Sequence, residues 1–434
     1  MIVMKFGGTS VQNAEHITKV IAIAQGLLDK SPIVIASAMA KVTDTLQNIA
    51  YLSEQGKDGE ARQLIKDLKE RHIAEAEKLL KGANRENCLK TLTQYFSSLE
   101  SISRGLCLLK ERTLRSNDVI LSFGERFSTL LIACRAQQLG IRTVLLDSRQ
   151  LIITDDNFTN AYPIFELTNE RVRGQIKPEK GVMYVAQGFI ASTVDGITTT
   201  LGRGGSDYTA TIIGAAVDSE EVQIWTDVNG IMTSDPRVVS KAFTIPEITY
   251  KEAAELAFFG ARVIHPSTIQ PAVNKNIPVI VKNTRNPAAP GTKITSENKS
   301  AGLKAIAFKQ GITLVNITSS RMLLAYGFLR KIFEVFEKYK TAVDLISTSE
   351  VSVSVTIDQL DRLDEITNDL TGIANVNVET EMSIICLVGQ ELWRDSLFIS
   401  RVFECLHDIP INMVSLGASD TNLSLVVPTK KYKD

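Results

Sequence analysis

The chain has 434 residues, 44% of them hydrophobic, and a formal net charge of −1, which is enough for two or three domains with buried cores. Lys and Arg are spread rather than massed, which argues against nucleic acid or an anionic membrane as a partner. Five cysteines without a CxxC pair and four isolated histidines form no metal site of recognised spacing and suit a reducing, cytoplasmic setting.

Residues 2–6 are apolar apart from Lys5 and run into Gly7-Gly8-Thr9-Ser10. A strand ending in a glycine pair suits phosphate binding by backbone amides, although this is neither a Walker A loop nor GxGxxG. Lys5 reads equally well as a solvated strand-end charge. A helix is predicted over 14–28 and a buried strand over 32–38, followed by Ser37 and Lys41-Val42-Thr43-Asp44. Strand–helix–strand order opens an α/β domain on a parallel sheet. Residues 45–114 read as charged, amphipathic helices without chemistry. A strand is predicted over 118–123, with Gly124-Glu125-Arg126 opening a helix to Leu139. Glu125 fits either an active-site role at that junction or a helix-terminal acid favoured by the macrodipole. Further strands are predicted over 143–146 and within 181–190.

The stretch Thr-Thr-Thr-Leu-Gly-Arg-Gly-Gly-Ser-Asp-Tyr-Thr-Ala at 198–210 organises the chain. Gly202, Gly204 and Gly205 permit a sharp turn and close backbone approach to a ligand. Arg203 offers a planar fork to a carboxylate or phosphate. Ser206 and Asp207 precede a helix predicted over 210–216, whose first N–H groups would face the same place. Capping of that helix by Ser206 or Asp207 is the plain alternative. A strand over 221–225 ends in Thr226-Asp227, where Asp227 suits a nucleotide or a hydrated metal. The turn Ser234-Asp235-Pro236-Arg237 offers a phosphate or base contact. A helix is predicted over 250–260, His265 before Pro266 reads as structural, and a strand is predicted over 278–282. Residues 286–292 mark a domain boundary.

Past that boundary the sequence repeats with a period of about 70 residues. Lys331-Ile332-Phe333-Glu334 matches Arg401-Val402-Phe403-Glu404, and Val343-Asp344-Leu345-Ile346-Ser347 matches Ile411-Asn412-Met413-Val414-Ser415. Each copy reads strand–helix–strand–strand, the opening of a ferredoxin-like βαββαβ module. The second copy ends early, so a strand at 305–308 is expected to complete its sheet.

The runs Lys-Phe-Gly-Gly-Thr-Ser at 5–10, Thr-Thr-Leu-Gly-Arg-Gly-Gly-Ser-Asp at 199–207 and Trp-Thr-Asp-Val at 225–228, with Asp-Pro-Arg at 235–237, resemble the aspartokinases over essentially the whole chain. The tail, with Gly-Phe-Leu at 327–329 and Val-Asp-Leu-Ile-Ser-Thr-Ser-Glu-Val-Ser at 343–352, resembles the paired ACT domains of the lysine-sensitive, single-function members. The resemblance implies an α/β amino-acid-kinase fold, an αβα sandwich on a mostly parallel sheet at 1–290, then ACT modules at 303–380 and 381–434. It implies phosphoryl transfer from MgATP to the side-chain carboxylate of L-aspartate, giving 4-phospho-L-aspartate, the first step toward lysine (in bacteria by way of diaminopimelate), methionine and threonine. Lys5 would bridge the transferring group and Asp207 would orient it. Thr43, Glu125 and Arg203, with Gly204, Gly205 and Ser206, would hold aspartate. Phe6, Gly7, Gly8, Thr226, Asp227, Met232, Arg237, Arg262 and Val263 would line the nucleotide. Met322, Phe328, Leu329, Val343, Asp344, Ser349 and Glu350 would bind lysine as allosteric inhibitor, in a homodimer through the ACT domains or a tetramer.

The chemistry agrees. A carboxylate nucleophile with a free pKa of about 3.9 needs no general base, and Mg²⁺ brought by ATP needs no dedicated cage of protein ligands. Met232 stands where relatives commonly carry Tyr, Arg262 where they carry Lys, and Ala325 and Ala342 where lysine-sensitive relatives carry serines. A silent amino-acid sensor is the rival from another class; intact Lys5, Arg203 and Asp207 speak against it.

Overall fold

The computed structural model describes residues 1–260, 264–297, 302–322 and 326–431. Arg262, Val263 and Ala325 therefore lie outside the described residues. The chain forms two compact units, Met1–Ile231 with Pro246–Tyr250 and Ile264–Glu297, and Met232–Ile245 with Lys251–Val263 and Asn298–Asp434.

The first unit contains β1 (Ile2–Phe6), β2 (Pro32–Ala36), β3 (Arg142–Leu145), β4 (Ile153–Thr154), β5 (Val182–Gln187), β6 (Ile190–Thr193), β7 (Thr198–Thr200), β8 (Glu221–Thr226), β9 (Glu247–Thr249), β10 (Val279–Asn283) and β11 (Thr292–Thr295). Eight of these make one sheet in the order β3-β5-β2-β1-β8-β10-β11-β9. All neighbours from β3 to β10 run parallel; β10–β11 is antiparallel and β11–β9 parallel. The central strands β1, β2 and β5 are largely apolar, Lys5 and the terminal Gln187 apart, because helices cover both faces. Under one face, Phe6, Phe96, Phe123 and Phe127 join a large core, with the Phe96 and Phe127 rings stacked at 4.2 Å. The charged segment forms three helices, Val42–Glu54, Asp58–Leu79 and Gly82–Leu109, which pack on one another and on this core.

Residues 118–123 do not form the expected strand. They belong to helix Leu114–Leu121, which leads through Ser122 into helix Phe123–Gln138. The reason is local: Thr113 and Ser116 form a reciprocal capping box that starts a helix just before the apolar Val119-Ile120-Leu121. The small sheet β4-β6-β7 has no counterpart in the expectations, because its hydroxyl-rich strands lack an apolar signature.

The second unit holds β12 (Gly302–Thr318), β13 (Ile346–Thr348), β14 (Ser352–Ile357), β15 (Asn375–Gln390), β16 (Met413–Leu416) and β17 (Asn422–Pro428), in one sheet ordered β13-β14-β12-β15-β17-β16. The long strands β12 and β15 run antiparallel from Gly302↔Gln390 to Thr318↔Asn375 and serve both repeats. Ala305–Phe308 pairs with residues 385–388, which in turn pair with β17. Helices Phe328–Lys338 and Leu363–Thr371 bury Ile332, Phe336, Ile366 and Leu370 in the first repeat's core. Helix Ser396–Cys405 packs Phe398 and Val402 in the second's.

Candidate active site

The parallel sheet brings the carboxyl ends of its central strands to one level. Phe6 lies opposite Ala36 and Trp225, Ala36 opposite Gln187, and Thr226 opposite Asn283. The segments that follow, Gly7-Gly8, Ser37-Ala38, Gly188 and Asp227, therefore gather at the edge where ligands of parallel sheets sit. Close packing leaves no room for a side chain at two of these glycines. A Cβ on Gly8 would lie 2.8 Å from the Ala38 carbonyl oxygen, and one on Gly188 would lie 2.5 Å from Ser206 Cβ.

Lys5, on β1, places its Nζ 2.6 Å from Asp207 Oδ1, and both side chains are largely buried. Asp207 stands in the first turn of helix Gly205–Ala216, which starts five residues earlier than expected. Gly204 is its N-cap, at φ +72°, and no side chain caps it. Neither Ser206 nor Asp207 therefore satisfies the helix start, and the dipole end faces the Lys5–Asp207 pair. Ser37 donates its hydroxyl to Ser206 Oγ at 3.0 Å, tying the end of β2 to this turn. Arg203 is exposed, and its guanidinium meets no acceptor among the described residues.

Glu125 is 3% exposed. Its Oε1 accepts the Ala38 N–H at 3.1 Å, while Oε2 has no partner. Burial pushes its carboxyl up to about 8, against the smaller opposing effect of that hydrogen bond. A buried carboxyl with one free oxygen and no neighbouring cation is arranged for a positive group from outside.

Thr43, half-buried, sits in the first turn of helix Val42–Glu54, whose N-cap Lys41 is left-handed at φ +67°. Phe6 is core, its ring 5.7 Å from that of Trp225. Gly7 donates its N–H to the Trp225 carbonyl at 3.3 Å. Thr226 ends β8, and Asp227 is exposed beside it, accepting the Thr226 hydroxyl at 3.3 Å. Among the described residues no three His, Cys, Asp or Glu side chains converge as metal ligands. Met232 and Arg237 belong to the second unit, where Arg237 pairs with Asp235 at 2.6 Å on the surface. Ser37 and Asp118 were not among the sequence candidates. Both carry side-chain bonds that hold the site's turns, and neither has a motif that announces it.

In the second unit Met322, Phe328 and Val343 pack on the first repeat's core, while Leu329 is 43% exposed. Asp344 Oδ1 meets Lys309 Nζ at 2.8 Å, and the same ammonium lies 2.8 Å from Asp358 Oδ2. Ser349 and Glu350 lie exposed on the turn after β13, where Ser349 Oγ is 2.6 Å from Ser352 Oγ.

Residues 1–283 match the amino acid kinase family, and residues 385–434 match an ACT domain. Aspartokinase 3, chloroplastic, of Arabidopsis thaliana is 39% identical over 455 residues, spanning 98% of this chain and 78% of the relative. The chain belongs to the aspartokinase family. The lysine-sensitive aspartokinase 3 of Escherichia coli K12 is 35% identical, across 99% of this chain and 96% of that one. Crystal structures of aspartokinase III from E. coli align with all of this chain and 97% of their own. The form with lysine and aspartate (T-state) gives a TM-score of 0.82 at 32% identity, and the form with aspartate and ADP (R-state) gives 0.81 at 33%. The parallel-rich kinase sheet and the ACT modules are thus the α/β architecture of the aspartokinases.

Proposed function

We propose that this chain transfers the γ-phosphoryl group of ATP to the β-carboxylate of L-aspartate and is inhibited by lysine. The observation that carries this reading is the Lys5–Asp207 pair at 2.6 Å, set at the carboxyl ends of β1 and β8 against an uncapped helix start. A carboxylate oxygen of aspartate attacks the γ-phosphorus, the bond to the bridging oxygen breaks, and ADP leaves with that electron pair. Such a transfer needs position and charge rather than a base. Asp207 holds the Lys5 ammonium toward the phosphates, and the Gly8 amide and the helix start add donors. Arg203, exposed and unpaired, takes the α-carboxylate, and the free Glu125 oxygen takes the ammonium. Thr43, Gly204, Gly205 and Ser206 border the amino acid; Thr226 and Asp227 border the nucleotide. Asp227, an exposed carboxylate at the end of β8, would hold a metal carried in by the nucleotide. Mg²⁺ bound with ATP would neutralise phosphate charge.

The relative named lysine-sensitive supports lysine as effector, with Asp344 as the carboxylate that meets it. Met322, Phe328, Leu329, Val343, Ser349 and Glu350 complete that site. We place the protein in the cytoplasm as a homodimer through its ACT domains. Among the described residues no helix is long and apolar enough to cross a membrane, and the plant relatives are named chloroplastic. A hydroxamate assay with aspartate and MgATP tests the reading, with lysine, threonine and methionine added separately. Arg203→Ala should raise the KM for aspartate far more than that for ATP. No turnover, with lysine binding intact, would make the chain a sensor and sink the proposal.

A further inference from the structure

Asp118 has no part in the chemistry above, yet its carboxyl is fully buried. It lies seven residues before Glu125. Ser122, between their helices, keeps helical dihedrals (φ −58°, ψ −21°). Seven residues is close to two helical turns, so both carboxylates occupy one face of the run. Asp118 Oδ2 accepts the backbone N–H groups of Thr159 and Thr200, each at 2.9 Å, and Oδ1 accepts the Thr200 hydroxyl at 2.8 Å. No cation faces it among the described residues, so these three donors supply its compensation.

Each donor leads toward the glycine-rich turn. Thr200 ends β7, three residues before Arg203. Thr159 is left-handed at φ +72°, an unfavourable state for a β-branched residue, and Asp118 holds its N–H. Asn160, next to it, puts Oδ1 2.5 Å from where a Cβ on Gly202 would be, and the Thr159 carbonyl lies 3.2 Å from the same point. Ala161 donates its N–H to the Thr200 carbonyl at 2.9 Å. The 159–161 loop thus backs the turn on one side, and Asp118 anchors both loop and strand.

We propose that Asp118 is a positioning residue for the amino-acid pocket: it locks the Thr200–Arg203 turn to the helical run carrying Glu125, so that the two side chains hold one separation. The proposal deepens, and rests on, the reading of Arg203 and Glu125 as the clamp on aspartate. A clamp whose jaws drift loses its hold on a short zwitterion while leaving the nucleotide side untouched. A mere brace would lower stability without favouring one substrate.

The test uses the full chain with Thr200→Val, Thr200→Ser and Asp118→Asn, assayed well below each melting midpoint. Thr200→Val keeps the side-chain shape and removes only the donor to Oδ1; Thr200→Ser returns it. Thr200→Val should raise the KM for aspartate by about ten-fold, the scale of one hydrogen bond to a charged group, and leave the KM for ATP within about two-fold. Thr200→Ser should restore the wild-type value, and Asp118→Asn should exceed Thr200→Val. A lowered melting midpoint with both KM values unchanged, or an equal rise in both, would overturn the proposal. Absence of aspartate phosphorylation by the wild type would instead overturn the parent reading, and this one with it.

Discussion

Replacing Glu125 by Gln should make the ligand-free protein more stable at alkaline pH while abolishing its use of aspartate. Glutamine keeps an oxygen for the Ala38 N–H, which the glutamate accepts at 3.1 Å, but it never ionises. In the fold the glutamate carboxyl is raised from 4.5 to about 8, first by burial. Below pH 4.5 the folded and unfolded chains both carry its proton, and the group adds no pH-dependent cost. Between 4.5 and 8 the unfolded chain releases the proton and the fold retains it, so stability falls as pH rises. Above 8 the ionised carboxylate is buried and the loss is complete, on the order of 5 kcal/mol as an upper value. Thermal melts of wild type and Glu125→Gln at pH 5.5 and 8.5 read the difference directly, because every other titrating group is common to both. The variant's advantage should be small at pH 5.5 and grow at pH 8.5 to a midpoint shift on the order of 5–10 °C. Aspartate should raise the wild-type midpoint and leave that of the variant unmoved. A variant no more stable than wild type at pH 8.5 would refute the picture of an uncompensated carboxyl waiting for a cation.

Lys5→Met should lower kcat by about 10²–10³-fold and also destabilise the fold, since it leaves Asp207 buried without its partner. Adding Asp207→Asn should restore stability but not turnover, and a single variant keeping a tenth of wild-type kcat would contradict the role given to the ammonium. Gly188→Ala should cost about 1–3 kcal/mol in urea titrations and most of the activity, because the new methyl would sit 2.5 Å from Ser206 Cβ; wild-type behaviour on both counts would count against the packed turn. Asp344→Ala should raise the lysine concentration for half-inhibition by about ten-fold or more. Uninhibited kcat should stay near wild type, because Lys309 keeps Asp358 at 2.8 Å; an unchanged lysine response would remove Asp344 from the effector site.

The parallel sheet was legible because strands buried on both faces must be apolar throughout, as in Ile33-Val34-Ile35-Ala36. Lys5 and Asp207 stood out as an oddly placed charge and a loop acid; that they touch depends on helix Gly205–Ala216 packing against β1. The helix at 114–121 was misread because Val119-Ile120-Leu121 carries strand propensity and its start signal uses Ser116 where a Glu or Gln would be more recognisable. The helix at 205 begins early because Gly204 supplies a left-handed cap, a backbone property that no side chain advertises. Asp118 and Ser37 were invisible for another reason. Each acts through partners more than 40 residues away, and no local period encodes such a bond.

One strand of the second unit also sets a timetable for synthesis. Residues 302–309 of β12 leave the ribosome some 80 residues before their partners at 384–390. At about 5–20 residues per second that is a wait of roughly 4–16 s. During that interval a nascent β-edge is open to the wrong neighbour. Lys304 and Lys309 bracket the apolar Ala305-Ile306-Ala307-Phe308, the pattern by which charges guard a sticky segment. The second ACT module therefore cannot close until its last strand, ending at Pro428, has been made, and the regulatory half should mature after the kinase sheet is complete.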